Sequence, residues 1–574
     1  MSTPRPDGIK TYDDPAGGWG ATKALAETLA RQQIIVQGAR TLLRANQPQG
    51  FDCPGCAWPD PKHTSSFEFC ENGAKAITWE STAKRVGPDF FAEHSVQSLW
   101  ERTDHWLEGQ GRITHPMRYD RESDRFEAVE WQDAFDDIGL RMRTLAHPDE
   151  AEFYTSGRAS NQTAFLFQLF ARNFGTNNFP DCSNMCHEAT SVGLPRSIGI
   201  GKATVTLEDY EHTDLIISMG HNPGTNHPRM MTSLRDASRS TTPSFAGHTA
   251  GFEALREDLA STDWPAIESA SGLKRSELEG VARIYATAQA TILCYGMGIT
   301  QHRTGTANVQ QIMNLLLLKG NIGRAGAGVS PLRGHSNVQG DRTVGITERP
   351  SAALLDKLRD VFHFEPPRAP GHSVVETIKA MRDGQARAII CLGGNLAVAA
   401  SDPLACMQGF RNLELAVHIA TKLNRTHLLT SGTTYLFPCL GRIELDMQLT
   451  GRQSITVEDS MSMVHASSGF LPPPSDQVRS EPAIVGGIAK AVLREHSVAD
   501  WDRLVGDYGL IREKIELVFP DFEGYNERIL QPGASNSRIQ HGSDSGRRPA
   551  ERQISPSFED WKRTMNRPTP TCSG

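Results

Sequence analysis

The sequence predicts a multi-domain α/β protein with mostly parallel, Rossmann-like sheets. One observation is a recurring local grammar of apolar run, Gly/Asn-rich turn and helical pattern. Ala151–Tyr154 leads through SGRASNQ into a helix at Thr163–Phe174, and Leu215–Met219 leads into GHNPGTNHPRMM. Thr291–Tyr295 leads through GMGITQHRTG into a helix ending near Lys319, and Ala388–Leu392 leads into GGNLAVAASD. Strands that alternate with helices pair in parallel through right-handed crossovers. The second observation is length: 574 residues exceed what one core organises. The third is that no apolar run approaches the ~18 residues of a membrane span, so these runs read as sheet cores.

Taken in order, residues 1–130 are expected to form a small N-terminal domain, residues 131–536 interleaved α/β domains, and residues 537–574 a disordered tail. A Pro/Gly-rich lead gives way to a helical pattern from about Ala21 to Ala45, with Leu25, Leu29, Ile34, Leu42 and Leu43 on one face. The text after it, FDCPGCAWPDPKHTSSFEFC, spaces Cys53, Cys56, His63 and Cys70 as C-x2-C-x6-H-x6-C. Two thiolates separated by two residues reach one ion or one cluster edge, so both a structural zinc and an iron–sulfur cluster remain open here. From Gly111 a short strand pair leads into a helix. The final stretch after Arg538 is polar, rich in Arg, Ser and Pro, and without periodicity.

A formal net charge of −8 excludes a basic nucleic-acid footprint or a polybasic membrane anchor. The opening MSTPRPDGIKTYDD shows neither a basic-then-apolar leader nor a twin-arginine pair, so a cytoplasmic location is expected. In that compartment the ten cysteines are not expected to form a disulfide framework.

Two texts carry chemistry. In NNFPDCSNMCHEATSVGL, Cys186 precedes His187, placing a soft anionic ligand beside a group that exchanges protons near neutral pH. That pairing suits a thiophilic metal that accepts electrons while a proton leaves the substrate. Cys182, four residues earlier, is assigned to packing. In LLLLKGNIGRAGAGVSPLRGHSNVQGD, glycines allow a bare backbone to wrap a ligand, and Arg333 offers a planar fork to a small anion. Glycine and asparagine at several strand ends, followed by helix starts, favour an elongated, multiply phosphorylated cofactor.

These residues resemble the molybdopterin oxidoreductase superfamily, and within it the bacterial formate-dehydrogenase-like alpha subunits. The matching texts, in order, are CPGCAWPD, GRITHPM, TNNFPDCSNMCHEATSVGL, GHNPGTNHPRMM, YGMGITQH, KGNIGRAGAGVSPLRGHSNVQG and GGNLAVA. The resemblance implies molybdenum bis(molybdopterin guanine dinucleotide), Mo-bis-MGD, and a [4Fe–4S] cluster on Cys53, Cys56 and Cys70. It implies that Cys186 ligates the metal, His187 handles the proton, Arg333 orients a carboxylate-like substrate, and Lys75 lies between cluster and proximal pterin. It places dinucleotide contacts at Gly220, Asn222, His227, Gly296, Gly298, Gly320, Gly323 and Gly394. A formate-like anion and an electron-accepting carrier are the implied partners.

Three departures accompany the likeness. The hook has three cysteines where a cubane asks for four ligands, leaving His63, Asp60 or water as the fourth, or zinc as a replacement. The text after Arg239, SRSTTPSFAGHTAGFEAL, lacks the strand the preceding helix should feed. The β-rich C-terminal domain that covers the pterins in the family is expected to be missing. The expected function is a molybdenum-dependent two-electron oxidation of formate. The alternatives are an oxo-transfer reductase and a truncated homologue with a binding or regulatory role.

Overall fold

The computed structural model describes residues 18–61, 65–236, 249–250, 252–261, 263–530 and 552–553. Its parallel framework uses nine strands: β1 (Met117–Asp120), β2 (Arg125–Ala128), β3 (Ala151–Thr155), β4 (Leu215–Met219), β5 (Thr291–Tyr295), β6 (Gly328–Pro331), β7 (Ala388–Leu392), β8 (Leu415–Ala420) and β9 (Thr433–Pro438). The main sheet runs β2-β1-β9-β8-β7-β3. Its β3, β7, β8 and β9 are parallel, with Ala388 opposite both Ala151 and Leu415. The β1–β2 hairpin adds an antiparallel edge. A second sheet, β4-β5-β6, is parallel throughout.

All four predicted strands are present, but they do not share one sheet. The chain leaves the main sheet after β3, builds β4 to β6, and returns at β7 to pair with β3. The two sheets therefore have separate cores. Phe153 of β3 meets Phe167, Phe170 and Phe174 of helix Asn161–Phe174, with ring centroids 5.3–6.3 Å apart. Leu293 and Tyr295 of β5 instead pack with Val309, Met313 and Leu316 of helix Gly305–Leu318. Each fully buried Phe or Leu contributes about 1.5–3 kcal/mol.

Strands β6, β8 and β9 escaped the sequence reading. Their texts, GVSP, LAVHIA and TTYLFP, contain a histidine or end in proline, which interrupts the apolar pattern. The expected helix from Ala21 to Ala45 is two helices, Gly18–Arg31 and Ile35–Leu42. They separate where Gln33 takes φ +61°, a left-handed value that ends a helix. After β9, an antiparallel pair (Ile455–Glu458 with Val464–Ser467) and helices Glu481–Leu493 and Tyr508–Val518 complete the main core.

The stretch 237–248, where the missing strand was sought, lies outside the described residues. So does the expected 537–574 tail, apart from Arg552–Gln553, which pair with Thr249–Ala250. Among the described residues no helix is long and apolar enough to cross a membrane.

Candidate metal and cofactor site

The carboxyl ends of β3, β7, β8 and β9 open onto a cavity of about 810 Å³. Each strand hands its following turn to the wall: Ser156, Gly394, Lys422 and Gly441 all line it. This is where an open parallel sheet presents free backbone groups and diverging loops. Cys186 and Lys75 line the same space. Lys75 belongs to helix Glu71–Glu80 and pairs with Glu71 at 2.6 Å.

Cys186 ends the short helix Cys182–Cys186, whose start is fixed twice. Asp181 and Asn184 form a reciprocal capping box, with both bonds at 3.1 Å. Arg342 holds the Asp181 carboxylate at 2.7 Å and also reaches Glu348 at 2.9 Å. At the other end the Thr300 hydroxyl donates to the Cys186 carbonyl at 2.6 Å. A hydrogen bond from Cys182 lowers the Cys186 thiol below its ordinary range; burial opposes this and the Arg333 guanidinium assists it. The packing role expected for Cys182 is therefore incomplete. Its sulfur also lies 2.8 Å from His335 Nδ1, and both residues line the cavity.

His187 faces the other way. It is fully buried, with Nδ1 3.1 Å from the Thr190 hydroxyl and Nε2 2.9 Å from the Leu332 carbonyl. A carbonyl only accepts, so Nε2 carries the proton and Nδ1 accepts from Thr190. Burial drives its pKa far down, keeping the ring neutral. His187 does not line the cavity.

Arg333 follows Leu332 and is also off the cavity wall. Its backbone N–H donates to Ser460 Oγ at 2.9 Å and its Nη2 donates to the Gly201 carbonyl at 2.9 Å. Its Nε is buried with no partner. His227 grips the Arg333 carbonyl at 3.0 Å. Thus His187 and His227, forty residues apart in the chain, both hold the Leu332–Arg333 backbone.

The amino-terminal thiols converge around one helix start. Cys70 caps helix Glu71–Glu80, its sulfur accepting from the Gly73 N–H at 3.3 Å. A Cβ at Gly73 would stand 2.9 Å from the Cys53 sulfur, so this glycine is required by close approach. Burial pushes the Cys53 and Cys56 thiols up, Cys56 to about 11, and neighbouring thiols add to the rise. Among the described residues, the trio of ligand atoms within 4.8 Å of one another is Asp52, Asp60 and His465, not the three thiols. That trio is already neutralised: Asp52 pairs with Arg442 at 2.9 Å, Asp60 with Arg229 at 2.8 Å, and His465 with Asp459 at 2.7 Å. Asp60 is thereby occupied, and His63 lies outside the described residues.

The turn residues divide. Gly394 lines the cavity. Gly220, Gly296 and Gly298 instead let the β4 and β5 turns pack on each other. A Cβ at Gly298 would meet the Gly220 Cα at 2.7 Å, and the Gly298 N–H donates to the Gly220 carbonyl at 2.7 Å. Asn222 caps the short helix Pro223–Asn226, accepting from the Thr225 N–H at 3.3 Å. Gly320 and Gly323 take positive φ after helix Gly305–Leu318. None of these six residues lines the cavity.

The sequence reading missed His335, Arg158 and Lys422 on the wall. His335 stands in a quoted text. Arg158 follows β3 in SGRASNQ. Lys422 follows a strand that the pattern did not reveal.

The profile of the family described as "Molybdopterin oxidoreductase" matches residues 112–427. Protein YdeP of Escherichia coli (strain K12) is 51% identical over 599 aligned positions, covering 92% of this chain and 79% of that protein. Because 92% of 574 residues is about 528, the alignment leaves about 70 positions of gap in this chain. An uncharacterized oxidoreductase of Mycobacterium tuberculosis (strain ATCC 25618 / H37Rv), Rv2900c, is 40% identical, covering 90% of this chain and 75% of its own. Formate dehydrogenase H of E. coli (strain K12) is 26% identical over 366 positions, or 53% of this chain and 51% of that enzyme. Among solved structures, acetylene hydratase from Pelobacter acetylenicus superposes with a TM-score of 0.59 at 14% identity. That match covers 84% of this chain and 70% of that one, a likeness of fold.

Proposed function

Because this chain belongs to the molybdopterin oxidoreductase family, we propose that it is a two-electron oxidoreductase that oxidises formate or a similarly small carboxylate at a metal held by Cys186. The observation that carries the reading is the meeting of a thiol biased toward its anion with a large cavity at the carboxyl edge of a parallel sheet.

The family implies a molybdenum–pterin cofactor, and the residues fit one. A cavity of about 810 Å³ is near the upper end of ligand pockets, which run to roughly 1,000 Å³. Lys422, on the cavity wall, keeps an Nζ donor shielded from solvent without a hydrogen-bond partner, an arrangement that costs about 1–3 kcal/mol until a ligand satisfies it. Cys186 would ligate the metal, and Gly394 with the turns after β8 and β9 would hold the pterin. We assign the Mo-bis-MGD form, and a [4Fe–4S] cluster to Cys53, Cys56 and Cys70. Held by these residues, the metal and cluster would supply two-electron redox chemistry and an outlet to an external carrier.

The chain's own residues orient and neutralise. Arg333 supplies positive charge beside Cys186 and an unspent Nε donor. Its backbone is held by His187 and His227, so the guanidinium is preorganised. Neutral His335 hydrogen-bonds Cys182 on the cavity side, whereas His187 stabilises the wall behind. A substrate entering the cavity would meet both Cys186 and His335 on its wall.

Formate-dependent reduction of a viologen dye by anaerobically purified protein tests the reading. Reduction is expected, and Cys186→Ser should abolish it while retaining guanine nucleotide. Dye oxidation coupled to an N-oxide or S-oxide, without formate activity, would favour the oxo-transfer alternative. No turnover by metal-loaded protein with either substrate would contradict the enzymatic reading and favour a binding role.

A further inference from the structure

Lys422 is an unusual lysine. It follows β8, and the loop that carries it is pinned by Arg112, whose N–H groups bind the Thr421 carbonyl and the Glu444 carboxylate. Its ammonium lies 4.3 Å above the Trp79 ring. Lys422 lines the cavity, and its Nζ is shielded from solvent with no hydrogen-bond partner. Burial disfavours its charge most, and the surrounding charges pull both ways: Arg112 and Lys84 oppose it, while Glu108 and Glu80 support it. Glu80 Oε2 is itself buried without a partner. Arg158 stands on the same wall.

A side chain held this way keeps unspent N–H donors at the cavity wall. Lysine has three donors and no acceptor, so what completes it is an acceptor, and the strongest acceptor for a desolvated amine is an oxyanion. We propose that Lys422 is an anchor for an oxyanion of the cavity's occupant, with Arg158 as the second cation and Trp79 as the platform that fixes the amine. This rests on the cavity being the pterin seat. The same chemistry has two sources, the cofactor's pyrophosphate and the substrate's carboxylate.

The anchor carries a proton linkage. Burial, with Arg112 behind it, lowers the Lys422 pKa to about 7. An oxyanion at hydrogen-bonding distance stabilises the ammonium and raises that pKa. Binding at pH 8, where the free amine is mostly neutral, therefore takes up close to one proton. At pH 6, where the amine is already charged, it takes up little. Affinity increases as pH falls from 8 toward 7 and then levels.

The test uses full-length cofactor-free protein titrated with inorganic pyrophosphate, and separately with formate. Calorimetry in two buffers of different ionisation heat reads the protons. The wild type is expected to bind at least one probe with proton uptake at pH 8 and little at pH 6. The probe that shows the linkage identifies the source. Lys422→Met should weaken binding by about tenfold or more and abolish the uptake. Lys422→Arg, charged throughout, should retain binding without uptake. Unchanged affinity and uptake in Lys422→Met would overturn the proposal, as would the absence of binding of both probes to the wild type. Molybdenum content, measured separately on holoprotein, reports on the cofactor reading independently of this result.

Discussion

Replacing His187 by Ala removes two buried hydrogen bonds and leaves the Leu332 carbonyl and Thr190 hydroxyl without this partner. At about 1–1.5 kcal/mol per bond plus the desolvation of stranded groups, the expected loss is about 2–4 kcal/mol of stability. Turnover should fall as well, because the Arg333 backbone loses a support. Gln at this position retains a donor for Leu332 and an acceptor for Thr190. His187→Gln should therefore restore most of the melting temperature and leave the pH–rate profile in place. A shifted profile in a well-folded His187→Gln protein would instead make His187 the proton acceptor. The text showed that Cys186 and His187 are adjacent. It did not show that the helix ending at Cys186 turns one toward the cavity and the other toward β6.

Among elements, β8 carries a clear pH liability. His418 is buried at its centre, stacked on Phe410 at 5.9 Å and 5.0 Å from His427, with Nε2 unpartnered. Desolvation lowers its pKa to about 3, against about 6.5 in an unfolded chain. The folded ring is therefore neutral where the unfolded one is charged. Its contribution is present above pH 6.5 and is lost as pH falls from 6.5 toward 3. Between pH 7.5 and pH 5 the loss is roughly 2 kcal/mol. Urea midpoints across that range should fall with decreasing pH, and His418→Phe, which keeps a stacking ring, should flatten the slope. An equal slope in the variant would place the acid sensitivity elsewhere. The same histidine helped hide β8 from a pattern search. Strands such as Thr291–Tyr295, apolar on both faces, were legible because both faces are covered, whereas LAVHIA and TTYLFP needed their neighbours. With β8 hidden, Lys422 had no strand end to follow and went unnoticed.

At the scale of the whole molecule, the sequence conveyed the α/β class, the parallel pairing and the thiol that meets the cavity. It did not convey the partition into two sheets. Successive strands with identical local grammar, Ala151–Thr155 and Leu215–Met219, belong to different cores, and only long-range packing decides that. The partition also separates the predicted ligand turns: Gly394 reaches the cavity, while Gly220 and Gly298 face each other. Both the hook and the cavity nevertheless meet along helix Glu71–Glu80, which begins at Cys70 and carries Lys75 to the cavity wall. The central claim is that this cavity seats a metal–pterin cofactor through Cys186. It is tested most directly by elemental analysis of anaerobically purified full-length protein, with guanine nucleotide released and counted from the same sample. The account predicts molybdenum or tungsten near one per chain, two guanine dinucleotides per metal, and loss of metal ligation by sulfur from the chain in Cys186→Ser. A folded protein from a cofactor-producing host that carries neither metal nor guanine nucleotide would contradict it.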